Sequence, residues 1–374
     1  MTPQRVMTVF GTRPEAIKLA PVIQALEADT RFESITVVTA QHREMLDQAL
    51  DLFGIQPDVD LDLMTEDQPL AQLTASIFTH LDPVLEQFKP NWLLAQGDTT
   101  TVMAAVLAAY YRRVRVGHVE AGLRTGDKWQ PFPEEVNRRV ASAVADLHFA
   151  PTEWARSNLL KEGVPDERIK VTGNTIIDAL NMVVEMPPPP EVEKLLINTG
   201  CLGGRKQLIM VTAHRRENFG APIRRICAAL KKLAQKFTDH VEVVYPVHLN
   251  PNIKETVYEL LGGIPNITLL PPLGYLALVH LLKNAKLILT DSGGIQEEAT
   301  GLGIPCLVLR EVTERPEGVE AGVLKLVGTE QERILKETSR LLEDESAWNA
   351  MTRAANPYGD GKAAGRIVEE LSGD

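Results

Sequence analysis

The chain has 374 residues, 44% hydrophobic and 24% charged, which is ordinary for a folded globular protein and long enough for two domains. Its net charge of −11 argues against nucleic acid or an anionic membrane as the main partner, although a local basic pocket can still bind an anionic small molecule. The three cysteines, Cys201, Cys227 and Cys306, have no metal-ligand spacing and predict neither a zinc site nor a disulfide framework.

The amino-terminal residues pass directly into a predicted strand, without the charged and apolar regions of a signal peptide. No apolar run approaches the roughly 18–20 residues needed to span a bilayer. We therefore expect a cytoplasmic protein.

In the first half of the chain, short apolar, β-branched runs alternate with longer helical stretches. The predicted strands are 6–10, 34–39, 92–95, 114–118 and 148–150, and helices are expected at 16–28, 43–53, 70–88 and 100–112. Near-continuous apolar strands separated by helices are typical of a parallel sheet covered on both faces.

The prolines at 187–190 interrupt this pattern with a stiff extended stretch, and the alternation then restarts. The strands predicted there are 207–212, 241–246, 267–269, 287–290 and 306–309, with helices at about 221–236, 252–261, 274–283 and 295–300. The fold class is therefore α/β, with two Rossmann-like domains that have parallel sheets.

We place the first domain at residues 1–170, a connection at 171–205 and the second domain at 206–359. The tail has apolar residues at helical spacing between 360 and 371. We expect this helix, within 360–374, to complete the first domain, although periodicity alone leaves packing on the second domain open.

Two strand-to-helix turns have residues suited to phosphate. In the first, Gly11 permits the turn, Pro14 fits the first helical turn, and Arg13 and Lys18 can reach an anion. An ordinary capped helix with surface charges explains this turn equally well.

The second turn follows the strand at 287–290. Ser292, Gly293 and Gly294 at a helix start can form an anion nest, and Glu298 is placed to accept hydrogen bonds from a ribose. Arg310 and Arg315 lie at the end of the next strand and can complete the anion site. Two such turns, one in each half, favour a nucleotide-linked ligand in a cleft between the domains.

Three carboxylates follow strands or begin helices in the first half. Asp98 is either an acid–base group or the N-cap of the next helix, which is the commoner role of Asp there. Glu120, between two glycines, has no obvious helix to cap, so we favour a functional role. Glu134 begins a helix, where an acid also favours the helix dipole, and Arg138 lies one turn further on. Together the three can supply acid and base at neutral pH.

In the second half, His214, Arg215 and Arg216 follow a strand. His214 can bind phosphate or protonate a leaving group, and a structural role is about as plausible. No metal-binding motif occurs, and the Gly-x-Gly-x-x-Gly fingerprint is absent, so we expect no metal and no cofactor.

Eight segments together resemble the non-hydrolysing UDP-N-acetylglucosamine 2-epimerases, which have the GT-B architecture, and the resemblance covers nearly the whole chain. The segments are FGTRPEAIK at 10–18, QHREMLDQ at 41–48, GDTTT at 97–101, GHVEAGLR at 117–124, HRRE at 214–217, YPVHLNP at 245–251, DSGGIQEE at 291–298 and TERPE at 313–317. The resemblance implies interconversion of UDP-GlcNAc and UDP-ManNAc through elimination of UDP, 2-acetamidoglucal and re-addition, and supply of ManNAc for cell-surface polysaccharide.

The resemblance also assigns roles to residues. The catalytic positions are Asp98, Glu120, Glu134, Arg138 and His214, without a choice of base and acid; the UDP-binding positions are Arg13, Lys18, His214, Ser292, Gly293, Gly294, Glu298 and Arg315. UDP-GlcNAc is also expected as an allosteric activator at Gln41, His42, Arg43, Arg215 and His248. A homodimer is expected by resemblance alone.

Three alternatives stay open. A hydrolysing epimerase would release UDP and free ManNAc, and the segment at 41–43 argues against it. A GT-B glycosyltransferase would use the same nest at 291–298 but would not need three carboxylates in the first domain. A nucleotide-sugar sensor without turnover would be favoured by loss of a carboxylate from the cluster, and none is missing.

Overall fold

The computed structural model describes residues 2–40, 43–63 and 68–373. Internal contacts divide the chain into two compact units. Unit 1 comprises Met1–Asn181 and Tyr358–Asp374, and unit 2 comprises Met182–Pro357.

Unit 1 contains a parallel sheet with seven strands among the described residues. These are β1 (Gln4–Phe10), β2 (Phe32–Val38), β3 (Val59–Asp60), β4 (Trp92–Gln96), β5 (Arg115–Val119), β6 (Leu147–Ala150) and β7 (Ile169–Val171), in the spatial order β3-β2-β1-β4-β5-β6-β7. The order reverses beside β1, where β4 pairs with it. The turns after β1 and β4 therefore lie next to each other at the carboxyl edge, where doubly wound sheets bind ligands.

Helices connect these strands. They are α1 (Arg13–Glu27), α2 (Arg43–Phe53), α3 (Leu70–Phe88), α4 (Thr100–Tyr111), α5 (Glu134–Val144), α6 (Glu153–Lys161) and α7 (Thr175–Val184). Leu73, Ile77 and Leu81 recur at helical spacing along α3, and all three are buried in one cluster with Met7 and Val9 of β1. Burying each such side chain contributes about 1.5–3 kcal/mol.

Unit 2 contains a parallel sheet with six strands. They are β8 (Gln207–Thr212), β9 (Val241–Pro246), β10 (Ile267–Leu270), β11 (Ala285–Thr290), β12 (Cys306–Val308) and β13 (Leu324–Leu326), ordered β10-β9-β8-β11-β12-β13. The helices of this unit are α8 (Pro190–Thr199), α9 (Ala221–Lys236), α10 (Pro251–Leu261), α11 (Tyr275–Lys283), α12 (Gly293–Gly301), α13 (Pro316–Ala321), α14 (Gln331–Glu343) and α15 (Glu345–Thr352).

Alternate residues of β8 face opposite sides of this sheet. Ile209 and Val211 belong to one buried cluster, with residues of α9, α10 and α14, whereas Leu208 and Met210 belong to another, with residues of α8 and α11. A strand buried on both faces needs a continuous apolar run, which is the pattern read from the sequence. The predicted α/β class with two Rossmann-like parallel sheets is confirmed.

The structure differs from the sequence predictions at three short strands, in the connection, and at the helices α6, α13, α14 and α15, which were not predicted. The strands β3, β7 and β13 have only two or three residues, too few to show a hydrophobic pattern, and they were not predicted. Residues 171–205, assigned to a connection, contain α7 and α8, and the division between the units falls within α7. Pro190 occupies the first turn of α8, where a missing N–H is tolerated.

The last helix, α16 (Ala363–Ser372), is part of unit 1 and packs on α1. Its apolar residues Ile367, Val368 and Leu371 are buried, as the spacing predicts. Asp178 of α7 accepts hydrogen bonds from the backbone N–H groups of Ala363 and Ala364, at 3.2 and 2.9 Å, and so caps α16. Among the described residues, no helix has the length and apolar character needed to cross a membrane.

Candidate active site

The turn between β1 and α1 is closed by its own side chains. Thr12 and Glu15 form a capping box, and the Glu15 carboxylate accepts from the N–H groups of Gly11 (3.1 Å) and Thr12 (2.8 Å). Its other oxygen accepts from Thr99 Oγ1 at 2.7 Å, which joins this turn to the one after β4. The N–H groups of Gly11 and Thr12 are therefore already hydrogen-bonded. Of the groups in this turn that were predicted to reach an anion, Arg13 is half-buried.

Glu120 lies directly after β5 and is 8% exposed. Its Oε1 accepts from Lys18 Nζ at 2.5 Å and from Asn174 Nδ2 at 3.0 Å, and its Oε2 accepts from Gln96 Nε2. The φ angle of Glu120 is +62°, a left-handed conformation that is uncommon for glutamate. Such conformations cluster at functional sites, and the three donors stabilise the carboxylate charge and fix its position.

Asp98 does not cap α4, because the Thr99 hydroxyl accepts from Val102 N–H and takes that role. The commoner explanation of Asp98 is therefore wrong. Instead, Asp98 Oδ2 accepts from the Arg138 guanidinium, and Asn137 Nδ2 donates to the Asp98 carbonyl at 2.9 Å. Residues from the start of α5 thus hold the Asp98 turn.

Glu134 is the first residue of α5 and is half-buried, whereas its neighbour Glu135 is fully buried. Glu135 accepts from the N–H groups of Thr125 and Gly126, at 3.1 and 3.2 Å, and from Arg138 at 3.1 Å. It fixes the loop that precedes α5 and orients the guanidinium that holds Asp98. The structure therefore brings Asp98, which precedes the N-cap of α4, together with Arg138 of α5, and Glu134 is the first residue of α5.

Sequence reasoning missed the residues that hold these carboxylates in place. Gln96 and Asn174 donate to Glu120 although they are distant in sequence, and Glu135, adjacent to a predicted site residue, accepts from the Arg138 guanidinium that holds Asp98. The available signal was a polar residue at the end of an apolar strand, as at Gln96, or a polar residue after a short strand, as at Asn174.

In unit 2, Asp291 follows β11 and is fully buried. Its Oδ2 accepts from the N–H groups of His214 and Arg215 and from Asn218 Nδ2, each at 2.8 Å. Its Oδ1 lies 3.5 Å from His214 Nδ1. Asp291 therefore fixes the loop after β8, and its second carboxylate oxygen lies beside the His214 ring.

The His214 ring stacks on the ring of His248, with centroids 5.4 Å apart and planes 11° apart. Burial lowers the pKa of His214, the Asp291 charge opposes this, and His248 and Arg215 lower it further. The imidazole is therefore predominantly neutral at pH 7. Of the predicted residues, His214 and Arg215 follow β8 and His248 follows β9, and the stacked rings bring these two loops of unit 2 together.

The start of α12 is open to a ligand in two respects. Ser292 occupies the N-cap position without a side-chain capping bond, and open space surrounds the position that a Cβ would take at Gly294. At Gly293, a Cβ would lie 3.1 Å from the Arg315 guanidinium carbon, so glycine admits that side chain. A helix N-terminus beside a guanidinium is a site for an anion.

Buried glutamates hold the cations of this region. Arg315 Nε and Nη2 each lie 2.9 Å from Glu297 Oε1, and Glu297 is 1% exposed. Glu298, the predicted ribose acceptor, is 5% exposed. Arg310, predicted for the same anion site, donates to Glu217 and Glu314, so both arginines are paired with glutamates of unit 2.

Of the predicted allosteric residues, Gln41 and His42 lie outside the described residues. Arg43 begins α2 and pairs with Asp60 at 2.5 Å and Asp62 at 3.0 Å. Across residues 2–40, 43–63 and 68–373, no cluster of three or more His, Cys, Asp or Glu side chains is arranged to hold a metal ion.

The two doubly wound sheets, with polar turns at their carboxyl edges, define the class of two-domain Rossmann-like proteins with GT-B architecture. Residues 24–372 match the model of the UDP-N-acetylglucosamine 2-epimerase family. The chain is 56% identical over 369 residues to the UDP-N-acetylglucosamine 2-epimerase of Yersinia pestis, covering 98% of both chains.

Solved structures agree. The chain resembles the UDP-GlcNAc 2-epimerase of Neisseria meningitidis bound to UDP-GlcNAc (TM-score 0.90, 46% identity, 99% and 100% of the two chains covered). It also resembles the Methanocaldococcus jannaschii UDP-GlcNAc 2-epimerase in complex with UDP-GlcNAc and UDP (TM-score 0.82, 33% identity, 99% of each chain). The chain belongs to the UDP-N-acetylglucosamine 2-epimerase family, and the resemblance read from its sequence is confirmed.

Proposed function

We propose that this enzyme interconverts UDP-GlcNAc and UDP-ManNAc without hydrolysing them. The observation that carries the proposal is the carboxylate set of unit 1, in which Glu120 is fixed by three side-chain donors and Asp98 is held by Arg138. The names of relatives at 33–56% identity over nearly the whole chain support the substrate.

The chemistry requires more than direct proton exchange. No carbonyl acidifies the hydrogen on C2, so its removal as a simple proton faces a high barrier. In the proposed route a base takes the C2 proton, the C1–C2 double bond of 2-acetamidoglucal forms, and the C1–O electrons leave with UDP. On return, a diphosphate oxygen bonds to C1 while an acid protonates C2 from the other face.

Unit 1 supplies the proton-transfer groups in this proposal. Base and acid are drawn from Asp98, Glu120 and Glu134, and Arg138 keeps Asp98 in place. Lys18 donates to Glu120, so we assign it to orienting that carboxylate rather than to UDP. Arg13 remains a diphosphate contact, because it begins α1 beside the same sheet edge.

Unit 2 supplies the groups that hold UDP. The N–H groups of Gly293 and Gly294, the Ser292 hydroxyl and the Arg315 guanidinium are assigned to the diphosphate, and Glu298 to the ribose. His214, neutral and beside Asp291, is assigned to the diphosphate oxygen that leaves C1. These donors stabilise the charge that develops on departing UDP.

We extend the proposal to regulation and assembly. UDP-GlcNAc is proposed as an allosteric activator acting through Gln41, His42, Arg43, Arg215 and His248. A cytoplasmic homodimer that supplies ManNAc for cell-surface polysaccharide is also proposed. Tyr110 and Tyr111 at the end of α4 are 61% and 69% exposed, and Tyr111 stacks on Phe78, so this surface is suitable for a subunit contact.

Proton NMR of the enzyme with UDP-GlcNAc in D2O, without added metal or nicotinamide cofactor, tests the proposal. UDP-ManNAc carrying deuterium at C2 is the expected product. Free ManNAc with UDP would identify a hydrolysing epimerase instead. An unchanged spectrum at high substrate and enzyme concentration would overturn the proposal and direct attention to glycosyl acceptors.

A further inference from the structure

A buried histidine lies beneath the Asp98 turn. His118, in β5, is 1% exposed, and its Nε2 is 2.7 Å from the carbonyl oxygen of Gly97. A carbonyl can only accept, so His118 Nε2 carries the proton and donates it. The ring therefore has a defined tautomer with Nδ1 unprotonated.

The peptide at Gly97 controls two of the site's side chains. Gly97 lies between Asp98 and Gln96, and the Gln96 side chain donates to Glu120. The φ angle of Gly97 is +82°, and a Cβ built there would lie 3.7 Å from Glu120 Oε2. Rotation of this turn would therefore move Gln96 and Asp98 relative to Glu120.

His118 provides one of two hydrogen bonds that β5 makes to Gly97. Gly97 N–H donates to the Val119 carbonyl at 3.0 Å, and the Gly97 carbonyl accepts from His118. Both partners lie in β5, the strand that also ends at Glu120. The strand that ends at Glu120 thus also holds the Gly97 peptide, while α5 holds the carbonyl and carboxylate of Asp98.

The charge state of His118 suits this role. Burial lowers its pKa to about 4, and the Arg124 charge adds to this, while the hydrogen bond to Gly97 and the charges of Asp98 and Glu120 oppose it. The ring is neutral at pH 7, so it adds no charge beside the carboxylates and does not titrate during turnover.

We propose that His118 is a positioning residue for the epimerase reaction, which holds the Gly97 carbonyl and thereby the Asp98 carboxylate at its working distance from Glu120. The proposal rests on the proposed function of the same carboxylates. It assigns His118 no contact with substrate.

The chain contains a matched control. His148 of β6 is the direct cross-strand partner of His118, is also 1% exposed, and hydrogen-bonds the Ala145 backbone rather than the Asp98 turn. Replacing His148 therefore measures the general cost of changing a buried histidine in this sheet.

The test compares kcat and KM of His118→Gln, His118→Asn, His118→Leu and His148→Leu, with melting temperatures. A glutamine amide reaches the Nε2 position and can donate to Gly97, whereas asparagine is too short. We expect kcat to fall about 10- to 100-fold in His118→Asn and His118→Leu with KM little changed, and to stay within about threefold in His118→Gln and His148→Leu. If His118→Leu does not fold, the Asn and Gln pair decides.

Wild-type kcat in His118→Asn, or equal losses in the Asn and Gln variants, would overturn the proposal. A second readout is independent of turnover. In ¹⁵N spectra of the histidine rings of the wild-type protein, His118 should show the Nε2–H tautomer and no titration between pH 5.5 and 8 (a range above its pKa). The opposite tautomer would overturn the proposal even if the enzyme had a different substrate.

Discussion

The two units hold their polar turns by different means. In unit 1, Glu120 and Asp98 are held by side chains that come from elsewhere in the sequence, namely Lys18, Asn174 and Arg138. In unit 2, the buried Asp291 accepts hydrogen bonds from backbone N–H groups of the loop after β8, and the first turn of α12 has no side-chain cap. Charged side chains in defined orientations suit proton transfer, and uncapped N–H groups suit the binding of a diphosphate.

Under the proposed function, this difference predicts that unit 1 carries out proton transfer and unit 2 binds UDP. Changes in unit 1 should lower kcat with UDP binding preserved, and changes at α12 should weaken UDP binding first. The predictions below are ordered from the largest expected effect to the smallest.

Glu120→Gln should lower kcat by about 10³-fold or more, because the amide removes the charge and presents N–H groups to donors that already face this position. UDP affinity, measured by calorimetry, should change by less than about threefold. Glu242→Gln is the control, since Glu242 is also a buried glutamate paired with a lysine, Lys206, at 3.0 Å. A variant Glu120→Gln with wild-type turnover would remove this carboxylate from the mechanism.

The next prediction concerns acid stability. Burial lowers the pKa of His118 to about 4 and of His148 to about 3, from 6.5. Below pH 6.5 the unfolded chain binds protons that the native state does not, so these groups destabilise unit 1 as pH falls from 6.5 towards 4. In unit 2, burial alone would raise the pKa of Glu314, but Arg310 and Arg315 lower it to about 2, so its stabilisation is lost only between pH 4.5 and 2.

His148→Leu isolates one of these groups. Its free energy of unfolding, relative to wild type, should rise by about 3 kcal/mol between pH 7.5 and 4.5, because each pH unit below 6.5 contributes about 1.4 kcal/mol. Burial raises the pKa values of Glu15 and Asp178, so these two groups change the free energy of unfolding with pH in the opposite sense. Their contribution is the same in the variant and in wild type, so it cancels in the comparison. Denaturant titrations at the two pH values measure the difference, and parallel pH profiles would contradict a neutral buried His148.

Arg315→Lys should weaken UDP binding about tenfold, or about 1.4 kcal/mol, because lysine cannot reproduce the planar fork that contacts Glu297 while facing Gly293. Calorimetry with UDP measures the change. Arg366→Lys in unit 1, which breaks a fork–fork pair with Asp360, is the control and should leave the affinity unaltered. Equal affinities for wild type and Arg315→Lys would exclude Arg315 from the UDP site.

The smallest effect is expected on the exposed face of α9. Arg224 pairs with Glu259 at 3.1 Å, and both side chains are more than half exposed. Arg224→Ala should change the free energy of unfolding by less than about 1 kcal/mol and leave kcat and KM unchanged. A larger effect on turnover would show that this surface has a function we have not assigned.

The sequence predicted every described strand except the short β3, β7 and β13, together with the positions of the polar turns, because buried parallel strands are continuous apolar runs and polar turns follow their carboxyl ends. It predicted Asp98 and Glu120 as candidates but not their partners. Asn174 is 54 residues from Glu120 and Lys18 is 102 residues away, so no local pattern connects them. The capping explanation of Asp98 failed because Thr99, one residue later, satisfies the helix end.

The role of Asp291 was also beyond local reasoning. It lies in a motif typical of anion binding, but its carboxylate is used to hold His214 and Arg215, which are more than 70 residues away. Only the register of β11 beside β8 brings the two loops together. The sequence thus predicts where polar turns follow the strands, and sheet topology determines which side chains contact each other there.

The central claim is that unit 1 moves the C2 proton while unit 2 holds the diphosphate. The most direct test is the rate at which solvent deuterium enters C2 at saturating UDP-GlcNAc, measured in parallel for wild type, Glu120→Gln and Arg315→Lys. We predict that Glu120→Gln loses this exchange by about 10³-fold while Arg315→Lys stays within about tenfold of wild type. Equal losses in both variants, or a loss in Arg315→Lys alone, would contradict the division.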